Sequence, residues 1–260
     1  MQRILSAVAL LIVVVGVIWL LPPLATLVLV EVALLAAFLE YAEIASRSGA
    51  PLSKAPTAVA VLGVGAVFSL APAMLPAALM AAIIGITAVQ LSRWPREQTL
   101  APAAAAAFSV LYLAIPFGSL AVVRITHGRE ALMLLLVTLM ASDTAQYYGG
   151  RWLGRRPLAP AVSPGKTVEG AVFGVAAAAL VMGGAGAWWL PDLSAGWRIA
   201  LAMLLALFGI AGDLFESTLK RGVGLKDASQ VIPGHGGMLD RIDGWLFAAP
   251  VYYVILGFFR

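Results

Sequence analysis

The sequence predicts an all-α polytopic integral membrane protein with about nine transmembrane helices and a cytoplasmic N-terminus. Composition is the first reason: 62% of the 260 residues are hydrophobic and only 12% are charged, about half the charged share of a soluble domain. The mean hydropathy of +0.96 is the second. The third is that the apolar residues form runs near the roughly 20 residues that a helix needs to cross a bilayer. A soluble enzyme and a disordered chain are thereby excluded.

The apolar runs are separated by short polar or proline-containing breaks. In chain order they are 4–21, 24–45, 57–71, 73–91, 101–123, 131–150, 168–190, 198–219 and 244–259. Because Arg3 precedes it, the first run has one interpretation as a signal peptide's apolar stretch. A second apolar run begins directly after Pro22 and Pro23, which favours a helical hairpin instead.

The basic residues predict how the chain is oriented. With nine spans, one face receives 13 of the 17 Lys and Arg residues and the other receives 4. The positive-inside rule places the more basic face in the cytoplasm. The N-terminus and the two long loops, 151–167 and 220–243, then face the cytoplasm of a cell (inner) membrane, and the C-terminus lies outside.

The remaining composition excludes several kinds of site and partner. The pI is near 9.6, but the Lys and Arg residues stand singly or in small groups between apolar runs, so we expect no nucleic-acid partner. The chain has no cysteine, which excludes disulfides, thiolate metal sites and cysteine nucleophiles.

The polar residues divide the chain into two regions. Residues 1–130 are predicted to be a scaffold of transmembrane helices with possible dimer contacts, and residues 131–260 a catalytic region. In the scaffold, Glu40 and Glu43 lie near the cytoplasmic end of the second span, where solvation is easy, so we expect no site role for them. Glu31 lies deeper and is left without an assignment.

The loop 220–243 and the span before it carry the residues typical of phosphoryl or nucleotidyl transfer. Asp213, Glu216 and Lys220 share one helix face at i, i+3 and i+7, and Asp240 and Asp243 share another if that segment is helical. Carboxylates are ligands suited to Mg²⁺, and Lys and Arg neutralise phosphate oxygens. The carboxylates are Asp213, Asp227, Asp240 and Asp243, and the cations are Lys220, Arg221, Lys226 and Arg241.

An ordinary juxtamembrane role competes with this interpretation. For any single residue of the loop, pairing with a neighbouring charge is the favoured explanation. It does not explain four aspartates together with glycines that can expose backbone N–H groups to an anion. His235 is either an acid/base or phosphate-binding group, or a histidine that is merely hydrogen-bonded within the loop.

The loop 151–167 ends in SPGKTVEG, from Ser163 to Gly170. Lys166 and Thr167 are predicted to donate to a phosphate at the start of the seventh span, where the helix N-terminus favours an anion. A capping role for Ser163 or Thr167 with Glu169 is compatible with this. A P-loop is rejected, because Pro160 stands where its first glycine belongs and no strand is expected before it.

A family resemblance follows from these stretches. Residues 217–243 read STLKRGVGLKDASQVIPGHGGMLDRID, which resembles in order and spacing the signature of CDP-diacylglycerol synthases (phosphatidate cytidylyltransferases). SDTAQYYGGRWLGRRPLAP and SPGKTVEG resemble the segments that precede it in that family. The resemblance covers the C-terminal half, from about Ser142 onward. Gly165 and Gln146 depart from the family pattern, which bears on the exact phosphate contacts of the first loop and not on the reaction class.

The resemblance implies a homodimeric membrane enzyme that transfers CMP from CTP to phosphatidic acid, giving CDP-diacylglycerol and pyrophosphate. It implies that Asp213 and Asp240 hold a catalytic Mg²⁺, with a second ion such as K⁺ nearby. The catalytic group is then Lys220, Arg221, Lys226, Asp227 and His235. The substrate-binding group is Asp143, Ser163, Lys166, Thr167, Glu169, Arg241 and Asp243.

Other functions remain open from the residues alone. A CTP-dependent lipid kinase, or a cytidylyltransferase acting on an isoprenoid lipid phosphate, uses the same chemistry. An ion-coupled secondary transporter is more remote, since such transporters favour inverted repeats and sites at the bilayer midplane, whereas the charged motifs here cluster at one face.

Overall fold

The computed structural model describes residues 2–92, 99–229 and 236–259, with side chains from residue 8 onward. The part described is nine α-helices and one β-hairpin. The α-helices are α1 Gln2–Leu20, α2 Pro23–Arg47, α3 Lys54–Leu70, α4 Leu75–Leu91, α5 Leu100–Ser109, α6 Ile115–Leu153, α7 Val168–Trp189, α8 Ala195–Gly222 and α9 Leu239–Gly257. A 3₁₀ turn, Pro72–Met74, precedes α4, and a π-helical turn, Val110–Ala114, joins α5 to α6.

Each predicted apolar run coincides with a helix or with part of one. Five described helical stretches are long and apolar enough to cross a membrane, which fits an all-helical membrane protein. The described apolar part of α1 and the whole of α3 are shorter than a typical span. The count of nine spans therefore stays a prediction.

The longest stretch, Leu100–Leu153, corresponds to two predicted spans. Its 54 residues would extend about 80 Å as one straight helix, far beyond a bilayer core of about 30 Å. Gly128 interrupts it with φ 91° and ψ 176°. Residues with a side chain rarely adopt this conformation, so the glycine permits the break. The break falls between the predicted runs 101–123 and 131–150.

The β-hairpin corrects the sequence analysis, which expected no strand in the loop 151–167. Strands β1 (Pro157–Ala159) and β2 (Ser163–Thr167) pair antiparallel, with Pro157 opposite Thr167. Such short strands, containing proline and glycine, give no alternating pattern to read. The rejection of a P-loop still holds, because β2 runs directly into α7 with no phosphate-binding loop between them.

The core lies around the second half of α6, which packs against α7, α8 and α9. Leu134 and Leu135 are completely buried, and the Tyr252 hydroxyl of α9 donates to the Ala131 carbonyl (2.9 Å). Small residues let α7 approach α6 closely: a Cβ added at Gly174 would lie 2.9 Å from the Ser142 carbonyl oxygen. This approach brings the hairpin beside the C-terminal part of α6.

Arginine and tryptophan side chains gather at one end of the bundle. Arg129, beyond the break in α6, donates to the Trp19 carbonyl (2.9 Å) and lies over its ring, 4.9 Å from the centroid. Trp19 contacts Trp189 at the end of α7, with ring centroids 5.9 Å apart. Arg198 donates to the Leu193 carbonyl (2.8 Å) in the connection between α7 and α8. These are the segments that the sequence assigns to the less basic face.

Candidate active site

An ion pair between β2 and α8 forms the centre of the candidate site. The Lys166 ammonium donates to Oδ2 of Asp213, and Ser217, one turn further along α8, donates to Oδ1 (3.4 Å). Both side chains of the ion pair remain about one-fifth exposed. The hairpin therefore places a cation against a carboxylate of α8 where solvent still reaches both.

An open cleft of about 530 Å³ lies next to this ion pair. Asp143, Lys166 and Thr167 line it together with Arg151. Thr167 also caps α7, accepting from the Gly170 N–H (3.1 Å). The cleft thus combines a carboxylate, two cations and a helix N-terminus, which suits a phosphate-bearing ligand.

Two further predicted residues face the same region from α9. Asp243 interacts electrostatically with Asp213 and Lys166, and Arg241 interacts with Asp143. The predicted helical spacing of Asp240 and Asp243 is confirmed, since both lie in α9. The structure therefore brings carboxylates from α6, α8 and α9 together with Lys166.

A second charged cluster is buried between α8 and α9. Lys220 forms ion pairs with Glu216 and with Asp240. Glu216 is completely buried and Lys220 is 7% exposed. The Lys220 ammonium lies within ion-pair distance of Oε2 of Glu216. Among the described residues, neither carboxyl oxygen of Glu216 has a hydrogen-bond partner with suitable geometry. Lys220 thus pairs with two buried acidic side chains at once.

Asp240 also anchors the chain on both sides of residues 230–235. Its carboxylate accepts from the backbone N–H groups of Ala228 (3.0 Å) and Gly237 (2.7 Å). Burial alone would raise the pKa of Asp240. The hydrogen bonds from Lys220 and from these N–H groups lower the pKa by more than burial raises it. The pKa of Asp240 is therefore lowered from its ordinary value, and the carboxylate stays ionised at neutral pH.

The other predicted site residues are in varied surroundings. Glu169 accepts from the backbone N–H groups of Arg155 and Arg156 (2.9 and 3.1 Å), which ties the hairpin to α7. Arg221 donates to the Leu225 carbonyl (2.6 Å). Ser163 begins β2 and is partly exposed, and Lys226 and Asp227 are exposed. His235 lies outside the described residues.

Glu40 is a residue that the sequence analysis missed. It was expected to be solvated, but it is only 4% exposed and accepts from Ser229, Met238 and Leu239 of the distant loop. Its partners lie 189 to 199 residues away. A carboxyl group within an apolar run was the only available signal, and no local pattern reveals such remote partners.

The carboxylates of the site are oxygen ligands of the kind that Mg²⁺ binds. Among the described residues, no three His, Asp or Glu side chains are arranged to enclose a metal ion. Mg²⁺ does not require such a cage, because it binds through one or two carboxylates plus waters and substrate phosphates. Asp213 already binds a cationic group and lies near Asp143 and Asp243. The donor chemistry therefore fits Mg²⁺.

Comparison with known proteins identifies the family. The model of the cytidylyltransferase family matches residues 1–259. The chain belongs to the cytidylyltransferase family. The match extends over the N-terminal helices, which the resemblance from about Ser142 onward did not cover.

Phosphatidate cytidylyltransferases from several bacteria are similar in sequence to about half of the chain. A phosphatidate cytidylyltransferase of Helicobacter pylori (strain J99) is 43% identical over 150 residues, 57% of this chain and 55% of the relative. That of Synechocystis is 48% identical over 133 residues, 50% and 44% of the two chains. That of Brucella suis is 43% identical over 128 residues, 49% and 47%. The matched stretch spans about half the length of these cytidylyltransferases.

Proposed function

We propose that the protein transfers CMP from CTP to phosphatidic acid, forming CDP-diacylglycerol and pyrophosphate. The name of the relatives and the family description support the substrate class. The observation that carries the proposal is the Lys166–Asp213 ion pair beside an open cleft with Asp143 and Thr167. This arrangement offers cations for phosphates and carboxylates for a divalent ion at the surface of a helical bundle.

The reaction needs no strong general base. A phosphate monoester has a second pKa near 6, so the headgroup of phosphatidic acid is already an anionic nucleophile at neutral pH. One of its oxygens forms a bond to the α-phosphorus of CTP while the bond to pyrophosphate breaks. The main barrier is the approach of two polyanions, which positioned cations reduce.

Each part of the site has a proposed role. Lys166 and Thr167 hold the triphosphate at the N-terminus of α7, and Arg241 faces the same region from α9. Asp213 and Asp240 hold Mg²⁺, with Asp143 and Asp243 nearby and a second ion such as K⁺ alongside. The chemistry that Mg²⁺ supplies when bound is charge neutralisation and in-line orientation of the phosphates. Lys220 keeps Asp240 ionised and in place.

An apolar cavity near the charged cluster suits the lipid. It has a volume of about 410 Å³ and lies between the α5–α6 segment and helices α8 and α9. Its wall includes Phe108, Tyr112, Phe215 and Phe247, and Tyr112 is close enough to Asp243 to interact with it electrostatically. We propose that an acyl chain occupies this cavity while the headgroup meets the carboxylates.

The proposal includes the location of the enzyme. The chain crosses the cell (inner) membrane nine times and has its N-terminus, hairpin and loop 220–243 in the cytoplasm, where CTP is available. It acts as a homodimer. The positive-inside distribution of 13 against 4 basic residues supports the orientation, and the family resemblance supports the dimer.

Pyrophosphate release by the purified protein tests the activity. With Mg²⁺, CTP and phosphatidic acid, the wild type should release pyrophosphate and form a lipid of the mass of CDP-diacylglycerol. Asp213→Asn and Asp240→Asn should each abolish release without unfolding the protein. Asp192→Asn, at the other end of the bundle, is the matched control and should keep full activity. Full activity in both site variants would refute the metal assignment.

The same assay separates the alternatives. A lipid kinase would yield a phosphorylated lipid and a nucleoside diphosphate, and an isoprenoid-specific enzyme would use an isoprenoid phosphate in place of phosphatidic acid. Mass spectrometry of the lipid product distinguishes these outcomes. Uptake of solute into liposomes without nucleotide turnover would favour the transporter instead.

A further inference from the structure

The carboxyl group of Glu40 joins the N-terminal helices to the loop that leads into α9. Oε1 accepts from the Ser229 hydroxyl (2.6 Å) and from the Met238 N–H (2.8 Å), and Oε2 accepts from the Leu239 N–H (2.8 Å). Both oxygens therefore act as hydrogen-bond acceptors. Three hydrogen bonds to a buried group are a specific arrangement and not a surface contact.

Two of these bonds supply the cap that α9 lacks in its own sequence. The residue before α9 makes no capping hydrogen bond with its side chain, yet the first N–H groups of a helix need acceptors. Glu40 supplies these acceptors from α2. The approach is close: a Cβ added at Gly237 would lie 2.5 Å from Oε2 of Glu40.

Glu40 and Asp240 together hold both ends of the six residues 230–235. Asp240 accepts from Ala228 before this segment and from Gly237 after it. Glu40 accepts from Ser229 before it and from Met238 after it. Because the two carboxylates bind adjacent residues at each end, the position of Asp240 depends on the bonds that Glu40 makes.

We propose that Glu40 is a positioning residue that sets the start of α9 and so the place of Asp240 in the metal site. Its enzymatic consequence rests on the proposed function, whereas its effect on the backbone does not. Loss of Glu40 leaves the N–H groups of Met238 and Leu239 without their acceptor. The carboxylate of Asp240 is then no longer held at a fixed position relative to Lys220. As a result, the enzyme binds Mg²⁺ less tightly.

Hydrogen exchange tests the backbone part of the proposal. In Glu40→Ala, the amides of Met238 and Leu239 should exchange about tenfold faster, since each loses a hydrogen bond. Glu40→Gln, which keeps one acceptor oxygen, should show a smaller increase. The matched control is Glu43→Gln, one turn along α2, where the side chain is 47% exposed and pairs with Arg47; its exchange should match the wild type. Unchanged exchange in Glu40→Ala would overturn the proposal.

The Mg²⁺ requirement tests the functional part. In Glu40→Ala, the Mg²⁺ concentration for half-maximal activity should rise about tenfold, and most activity should return at saturating Mg²⁺. A merely structural role would lower the active fraction and leave the half-saturation unchanged, and that result would contradict the proposal. Gly237→Ala perturbs the same contact from the loop side and should raise the Mg²⁺ requirement too. If the wild type releases no pyrophosphate, the proposed function fails, and hydrogen exchange alone still decides the contact of Glu40.

Discussion

Lys166 and Lys220 both bind carboxylates, but in different surroundings. Lys220 is 7% exposed and lies between Glu216 and Asp240. Lys166 lines the cleft, and Lys166 and its partner Asp213 are each about one-fifth exposed. Lys220 is a buried cation between two acidic side chains, so its removal leaves unpaired negative charge in the interior. Lys166 is partly exposed and can turn towards a ligand. Substitution of Lys220 should therefore reduce the stability of the fold, whereas substitution of Lys166 should reduce substrate binding.

Lys220→Met is expected to destabilise the fold. Without the ammonium, Glu216 and Asp240 remain buried with no cation between them, a change that typically costs about 3–5 kcal/mol. Thermal unfolding in detergent should show a clear decrease in the midpoint. Lys54→Met, at an exposed position at the start of α3, is the control and should unfold like the wild type. An unchanged midpoint for Lys220→Met would show that the cluster does not depend on this charge.

Lys166→Met is expected to impair substrate binding instead. A partly exposed ion pair contributes at most about 1 kcal/mol to stability, so the unfolding midpoint should barely change. Loss of a charge-assisted hydrogen bond to the triphosphate costs about 1.5–3 kcal/mol, which raises the KM for CTP roughly 10- to 100-fold. Steady-state kinetics at saturating phosphatidic acid measure this. A normal KM with a large loss of stability would reverse the roles of the two lysines.

For individual residues, residue type and spacing in the sequence predicted most of the charged side chains that lie close together in the structure. Asp213, Lys166 and Asp243 were chosen because their chemistry suits phosphate and Mg²⁺, and the structure places them near one another. Glu40 could not be chosen in the same way. Its importance comes from contacts with Met238 and Leu239, which depend on how α2 packs against α9 and not on any local pattern.

The approach of helices α8 and α9 determines how the carboxylates of the site face one another. The two helices approach each other closely where Gly212 meets the backbone of Asp243. A Cβ at Gly212 would lie 2.5 Å from the Asp243 carbonyl oxygen, a backbone atom that cannot move independently of its helix. The glycine is therefore what allows Asp213, the next residue, to lie beside Asp243.

Gly212→Ala should force the two helices apart. Overpacking of this kind typically costs about 1–3 kcal/mol, and the displacement should also lower pyrophosphate release. Gly196→Ala is the matched control in the same helix, because a Cβ there meets nothing within 4 Å. Thermal unfolding and activity are measured on both variants. Equal stability of the two would mean that α8 and α9 tolerate a wider separation.

Among the elements, helices were predictable and the short strands were not. Long apolar runs gave the positions of α2, α7 and α8 to within a few residues. The hairpin, by contrast, depends on tertiary contacts such as the bonds from Arg155 and Arg156 to Glu169. The break at Gly128 was visible only as a gap between two apolar runs, because one glycine does not specify a backbone conformation.

The whole molecule has two chemically different ends. One carries Lys166, Asp213, Lys220 and the other charged groups of the site. The opposite end carries Arg129 and Trp19, which it contacts. Helix α7 connects the two ends over 22 residues, about 33 Å at 1.5 Å per residue, which matches a bilayer core. The distribution of basic residues then predicts which end faces the cytoplasm.

Cysteine labelling tests that orientation directly, because the chain has no cysteine of its own. Three exposed positions are suitable: Ala161 in the hairpin turn, Ser48 after α2 and Asp192 between α7 and α8. A membrane-impermeant maleimide should label Asp192→Cys in intact cells, and should label Ala161→Cys and Ser48→Cys only after permeabilisation. The cysteine-free protein gives the background, and permeabilised cells show that each cysteine is reactive. Along the predicted path, one span (168–190) separates Ala161 from Asp192, and four spans separate Ser48 from Ala161. Labelling of Ala161→Cys in intact cells would therefore invert the topology. It would also move the site away from cytoplasmic CTP.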